Sequence, residues 1–596
     1  MVRVGGYAPI EDYAAIGDGR TIALVARDGS VDWLPAPELS SPSVFAAILD
    51  AERGGRFALA PVGLFDTERR YRGDTNVLET TFTTSSGVVR VADALVLGEA
   101  SERHRRLVRR VEGLAGEVAL EWQIDPRFDF SRADVELSGD ETSTRARGGG
   151  VELLAQTWNA GKPARRAECV SGRFSLALGE NADLVAAVGL DDPPANPTTR
   201  DDAARTFDDT HAAWESWSGE LAYEGPFREA VVRSALALKL LVHEPAGSIA
   251  AAATTSLPEV IGGIRNWDYR YSWIRDASLA LDALLELGCV DEASRFFTWL
   301  ESSCHDTAPE LQILYTLDGS GDTDEAELDL TGHRGSRPVR TGNNAATQLQ
   351  LGVYGDVLQT AWLYGRRGHA LGEQMRGLLA QIADLVCEIW RRPDRGIWEV
   401  RHDPRQFTHS KMMCAIALDR ACDLAERDEI PGGGIDRWRR EGAAVRSFVE
   451  TSCWSDDHAS YVRSADEPDD LDASLLLSGI LGYSAPGDER LAATLATVRR
   501  DLGEGPYVYR YHTEDSLAGR EGAFLACSFW VATVLARMGR LDAAAEALEA
   551  ALGLGNDVGL FSEEIDPSSG AFLGNFPQAF THLALVNAAV TLARRA

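Results

Sequence analysis

The sequence predicts a chain in two parts, β-rich at first and all-helical afterwards. Two observations carry this: the hydrophobic period changes near residue 203, and the polar, Pro-rich stretch DDPPANPTTRDD, residues 191–202, separates the two regimes. Up to about residue 200, short apolar runs such as TIALVAR, VDWL, GRFALAP, VLETTFTT and VVRVADALVL alternate with Gly, Asp and Ser turns. The pattern continues through LVRRVEGL, VALEWQI, ELLAQTW and FSLALG. Many short strands with no helices between them predict a β-sandwich.

Beyond the boundary, EAVVRSALALKLLVHE, DASLALDALLELGCV, AATQLQLGVYGDVLQTAWLYG and EQMRGLLAQIADLVCEIWRR carry apolar residues at i, i+3 and i+4. Further helices are expected at 409–427, 434–452, 470–481, 488–502, 521–539, 541–552 and 577–595. With one near 206–219, the total is about a dozen. No fixed-period repeat occurs, which disfavours a solenoid. A dozen paired helices can close into an (α/α)6 toroid with function in the loops at one mouth. Periodicity by itself establishes only an all-α second part.

Composition narrows the function classes. The chain has 596 residues, 45% hydrophobic and 25% charged, as in ordinary globular enzymes. No apolar run reaches membrane-helix length, and the first residues, MVRVGGYAPIEDYAAIGDGR, lack signal-peptide regions. A cytoplasmic enzyme is the expectation. The net charge of −32 argues against nucleic acid or an anionic membrane as partner, whereas a small neutral sugar is not repelled. The eight cysteines form no CxxC and several sit in apolar helical runs, which predicts buried thiols rather than disulfides or a metal site. No cofactor is called for. Homo-oligomerisation stays open.

Three loop-like segments concentrate chemistry. In GGIRNWDYRYSWIRDAS, residues 262–278, Arg265, Trp267, Asp268, Tyr269, Tyr271, Trp273, Arg275 and Asp276 crowd into 12 positions. Aromatic faces stack on sugar C–H surfaces and charged groups bond hydroxyls, although an aromatic patch over a salt bridge would look the same. In GIWEVRHDPRQFTHSKMMC, residues 396–414, Glu399 follows Trp398, and an apolar neighbour raises a carboxyl pKa toward that of a general acid. Lys411, one of three lysines, lies in the same segment. In GLFSEEIDPSSGAFLGNFPQAFTH, residues 559–582, the pair Glu563–Glu564 opens a Gly- and Pro-punctuated loop. Two carboxylates on separate loops are the minimum for glycoside hydrolysis.

These segments resemble glycoside hydrolase family fifteen, its bacterial trehalase and glucoamylase-like members. The likeness also covers IEDYAAIGDGRTIALVARDGSVDWL, GSRPVRTGN and YRYHTEDSLAGREGAFLACSFW, and so runs over nearly the whole chain. It implies a β-sandwich (supersandwich) over 1–200, a helical linker over 201–225 and an (α/α)6-barrel catalytic domain over 226–596. It also implies an inverting mechanism, with Glu399 as general acid and Glu563 as general base, ionised at working pH. Tyr269, Trp273, Arg275, Asp276, Trp398 and Arg510 are implied around the terminal glucose, and Trp267 and Lys411 join them as substrate-binding candidates. PAPELSS at 35–41, Thr316 and Gly352 depart from the family pattern and bear on the leaving-group side.

The resulting expectation is an exo-acting α-glucoside hydrolase cleaving trehalose. The alternatives are a glucoamylase-like enzyme releasing glucose from α-glucan or isomaltosaccharide ends, a sugar phosphorylase, and a non-catalytic sugar binder. A phosphorylase needs no second carboxylate, so Glu563 argues against it. The absence of an export signal favours a small intracellular sugar over extracellular starch.

Overall fold

The computed structural model describes residues 3–98, 104–140, 142–191, 195–512, 519 and 521–596. One strand, His104–Asp125, organises the N-terminal part. Its first half pairs with Gly87–Leu95 and Asn181–Leu190, its second half with Arg56–Pro61 and Cys169–Ala177, all antiparallel. The strand thus belongs to two groups of strands and ties the sandwich together. The sequence reads LVRRVEGL and VALEWQI as separate strands; they are the two halves of this one. The changeover needs glycine. A Cβ on Gly113 would lie 2.1 Å from the Ala177 carbonyl oxygen, and Gly116 takes a φ of 61°. A register shift opposite, between Val88 and Val89, marks the bend. Most of the Pro-rich boundary is described, but residues 192–194 of it lie outside the described residues.

A single turn, α1 (Phe128–Ser131), follows the long strand, and α2 (Arg200–Gly219) leaves the β region. The second helix starts earlier than periodicity suggests because the Thr199 hydroxyl accepts from the Asp202 amide and caps it. Twelve helices follow: α3 (Arg228–Leu241), α4 (Ala277–Glu286), α5 (Val290–Thr307), α6 (Gly352–Arg366), α7 (Glu373–Ile389), α8 (Thr408–Glu426), α9 (Ile435–Ser452), α10 (Leu477–Leu481), α11 (Glu489–Asp501), α12 (Leu525–Arg537), α13 (Leu541–Leu552) and α14 (Ala579–Arg595). The even-numbered helices α4 to α14 touch in succession and α14 returns to α4, closing an inner ring. The others pack outside it, giving the (α/α)6 barrel.

Sequence explains the division. LACSFWVATVLA in α12 is apolar all round and wholly buried, as an inner helix must be. EQMRGLLAQIADLVCEI in α7 buries one stripe, Met375, Leu378, Leu379, Ile382, Ala383 and Val386, and leaves charges outside. Seven of the eight cysteines are buried, Cys169 is partly exposed, and none is disulfide-bonded. No helix among the described residues is long and apolar enough to cross a membrane.

Arg270 joins the two parts. Its guanidinium grips Asp268 through Nε (2.9 Å) and Nη2 (2.7 Å), and Nη1 donates to the Ser41 carbonyl at 2.8 Å. Its Cζ lies 5.9 Å from the Trp33 ring and 5.6 Å from the Phe130 ring, both in the β part. Trp33 in turn donates from Nε1 to the Ala253 carbonyl at 2.9 Å. Both charges are buried, so removing one strands the other. Arg270→Ala should therefore cost about 3–5 kcal/mol in denaturant unfolding. A loss below about 1 kcal/mol would show that Asp268 needs no such partner.

Candidate active site

The loops that precede the inner helices converge on one mouth of the barrel. They line one cavity. From the 262–278 segment, Trp267, Tyr269 and Arg275 line it; from 396–414, Trp398, Glu399 and Arg401; from 559–582, Glu563. Arg510 closes another side.

Tyr269 and Trp273 set the geometry. Their rings meet edge to face, centroids 5.2 Å apart. The Tyr269 hydroxyl donates to Glu563 Oε1 at 2.8 Å, and Trp273 Nε1 donates to Glu399 Oε1 at 2.7 Å. Two touching rings on one short loop thus hold the two carboxyls. Arg275 Nη1 lies 3.4 Å from the same oxygen of Glu399, while its Nε donates to Asp276 at 2.9 Å. No hydrogen bond reaches Glu399 Oε2 among the described residues, so that oxygen is available to a ligand. Glu563 Oε2 is buried and likewise has no donor among the described residues. Gly574 is required beside it: a Cβ there would stand 2.4 Å from that oxygen.

The surroundings decide protonation. Burial raises Glu399 above its ordinary value, against the opposing pull of Arg275 and the Trp273 hydrogen bond. Burial likewise pushes Glu563 up to about 7, although Arg510, Tyr269 and Arg275 favour its charged form. The ionised Glu563 expected from sequence is thus disfavoured relative to an ordinary glutamate. The reason is its depth in the barrel and the neighbouring Glu521, neither visible in SEEID.

Trp398 is fixed by Asp472, whose two oxygens each lie 3.0 Å from Nε1, and it stacks on Trp530. Arg510 lies 5.3 Å from the Trp398 ring and within 3.3, 2.6 and 2.9 Å of Glu259, Glu521 and Glu564. Oxygens of these three carboxylates approach one another within 4.8 Å, a spacing that would suit a metal ion, but the guanidinium already sits among them. Burial raises Glu259 and Glu564, with Arg510 opposing. Neither Glu259 nor Glu521 stands out in sequence, because each lies in a segment without a paired carboxylate or Trp–Glu signal.

Three expected residues do not line the cavity. Trp273 and Asp276 stand behind its wall, the first holding Glu399 and the second Arg275. Lys411 lies elsewhere: it is fully buried in α8, and its Nζ donates to the carbonyls of Trp390 (2.6 Å) and Arg392 (2.7 Å). It closes the C-terminal end of α7 instead of meeting a sugar. The departures from the family pattern also lie off the cavity. Leu39 and Ser41 in PAPELSS support Arg270, Thr316 bonds Asp318 within its own turn, and Gly352 begins α6 against His409.

Known proteins resemble this chain over most of its length. Residues 225–590 match the model of glycosyl hydrolases family 15, and residues 4–155 match a trehalase-like N-terminal model. A trehalase of Mycobacterium tuberculosis is 37% identical over 99% of this chain and 90% of its own length. A trehalase of Thermoplasma volcanium is 33% identical over 99% of this chain and 94% of its own. A bacterial glucoamylase solved with acarbose superposes with a TM-score of 0.75 at 14% identity, covering 99% of this chain and 95% of its own, a likeness of fold alone.

Glu399 itself adopts a φ of 57°, the left-handed region that L side chains avoid. Such conformations cost about 1–3 kcal/mol and persist where the surroundings impose them. Glu399→Gly should accordingly be more stable than Glu399→Ala by about 1 kcal/mol in unfolding experiments. Equal stability of the two would show that the backbone carries no strain there.

Proposed function

We infer, from the premise that this chain belongs to glycosyl hydrolase family 15, that it hydrolyses trehalose to two glucose molecules with inversion at the attacked carbon. The observation that carries the mechanism is the pair of carboxyls held by Tyr269 and Trp273, each keeping one oxygen free of donors among the described residues. The trehalase relatives, similar over nearly the full length, support the substrate.

In this reading Glu399 is the acid. Its proton passes from Oε2 to the oxygen between the two rings as the C–O bond breaks. Glu563 is the base: its carboxylate accepts a proton from the water that attacks the anomeric carbon from the opposite face. Tyr269, kept protonated by burial beside Glu563, orients that carboxylate. Arg275, Trp398 and Arg510 bind the ring being cleaved, with Asp276 steering Arg275. The substrate is a small neutral sugar and the setting cytoplasmic.

Proton NMR of the first products tests the stereochemistry. Inversion gives one β-glucose and one α-glucose from each trehalose, whereas retention gives two α-glucose and would remove Glu563 from the role of base. Trehalose, maltose, isomaltose and kojibiose compared side by side should show trehalose preferred. Preference for maltose would favour a glucoamylase-like enzyme. Either Glu399→Gln or Glu563→Gln should lower turnover by about 10²–10⁴-fold.

The pH dependence follows from Glu563. A base must be deprotonated, so kcat/KM should fall as pH drops below about 7, its folded-state value. The alkaline limb should mark loss of the Glu399 proton. An acid limb centred near the ordinary Glu value of about 4.3 would show that substrate-free Glu563 is not held up by burial.

A further inference from the structure

On the leaving-group side of the cavity stands a guanidinium with its donors unspent. Arg401 lines the cavity two residues beyond Glu399. Its Cζ lies 4.0 Å from the centroid of the Trp267 ring, and the Cζ of Arg340 lies 4.5 Å from the same ring. Glu325 is the carboxylate near both, 3.1 Å from Arg340 Nε but 3.9 Å from Arg401 Nη2. Arg340 is 10% exposed and also donates to the carbonyls of Ile264 and Asn266. Arg401 is 40% exposed and makes no hydrogen bond among the described residues.

Position assigns the side. Glu399 must face the oxygen between the two sugar rings, and Glu563 marks the face the water attacks from. Arg275, Trp398 and Arg510 line the cavity and, in the reading above, take the ring being cleaved. Arg401, the Trp267 ring it lies against, and Gln348, which donates from Nε2 to the Glu399 carbonyl at 3.3 Å, are the cavity residues beside Glu399 left for the departing ring. A planar guanidinium presents paired donors at a spacing that matches two adjacent hydroxyls. Contact with Trp267 restricts its orientation, so little rotamer freedom remains to be lost on binding.

We propose that Arg401 is the specificity-determining residue of the leaving-group side, donating to two neighbouring hydroxyls of the departing sugar. This rests on the glycoside-hydrolase reading and not on trehalose being that sugar. The test compares trehalose with α-glucosyl fluoride, whose leaving group has no hydroxyls, for the wild type, Arg401→Ala and Arg401→Lys. Because fluoride turnover counts the folded sites of each variant, the ratio of the two kcat/KM values is independent of how much variant folds. In Arg401→Ala this ratio should fall about ten- to hundredfold, mostly through KM for trehalose. Arg401→Lys should recover part of it, since a point charge lacks the fork. A ratio constant within about threefold would overturn the proposal, as would equal losses on both substrates, which would mean that Arg401 acts by positioning Glu399. If the wild type cleaves a different disaccharide, the trehalose reading fails and the same ratio is taken with that disaccharide. An enzyme that cleaves only the fluoride would overturn both.

Discussion

Everything at the mouth of this barrel depends on one aromatic contact. Tyr269 and Trp273 touch edge to face, and each gives its polar tip to a different carboxyl, Glu563 and Glu399. The two carboxyls come from segments far apart in the chain, so their relative placement would otherwise vary with the small motions of two loops. Bonding both to one rigid unit converts that into a fixed geometry, as hydrolysis by paired carboxyls requires. The unit is itself secured. Trp273 lies in the short strand Ser272–Trp273, paired with Leu314–Tyr315, and the intervening Arg270 is locked to Asp268 and to the β part.

The electrostatics follow from the same burial. A cavity that removes Glu259, Glu399, Glu563 and Glu564 from water raises all four toward protonation, opposed by arginines and, at Glu399 and Glu563, by the hydrogen bonds from Trp273 and Tyr269. Arg510 serves three carboxylates at once, which holds that side of the cavity together. Repulsion among these groups is the cost of chemistry that needs one proton donor and one acceptor close by. Left-handed Glu399 belongs to the same pattern: an unfavourable local state held by its surroundings.

Among the described residues the β part contributes no side chain to the cavity wall, yet it is not a bystander. Carbonyls of Leu39 and Ser41 receive the Arg270 guanidinium, and Trp33 and Phe130 flank it. The PAPELSS loop, which departs from its relatives' pattern, therefore acts on the site from behind, through the backbone of the Tyr269 loop. Backbone carbonyls can be supplied by many side-chain sequences, so the support does not depend on which side chains the loop carries.

Much of this was legible in the sequence. The change of period near residue 203 separates sandwich from barrel because strand and helix bury different repeats, and the all-apolar LACSFWVATVLA and striped EQMRGLLAQIADLVCEI already distinguish inner from outer helices. The crowding of rings and charges at 262–278, the Trp–Glu at 398–399 and the Glu pair at 563–564 named three of the walls, since chemistry-bearing types are rare in that density. What only the tertiary structure decided is direction and depth. Lys411 lies within a promising segment, but its place in α8 aims it at the carbonyls ending α7. Trp273 and Asp276 stand behind the wall their neighbours form, and Glu259, Glu521 and Arg401 enter it without any local signal. A protonation state depends on burial and on charges brought from elsewhere in the chain, so Glu563 near 7 could not be read from SEEID. Periodicity reports which face of an element is buried; only closure of the ring determines what that face meets.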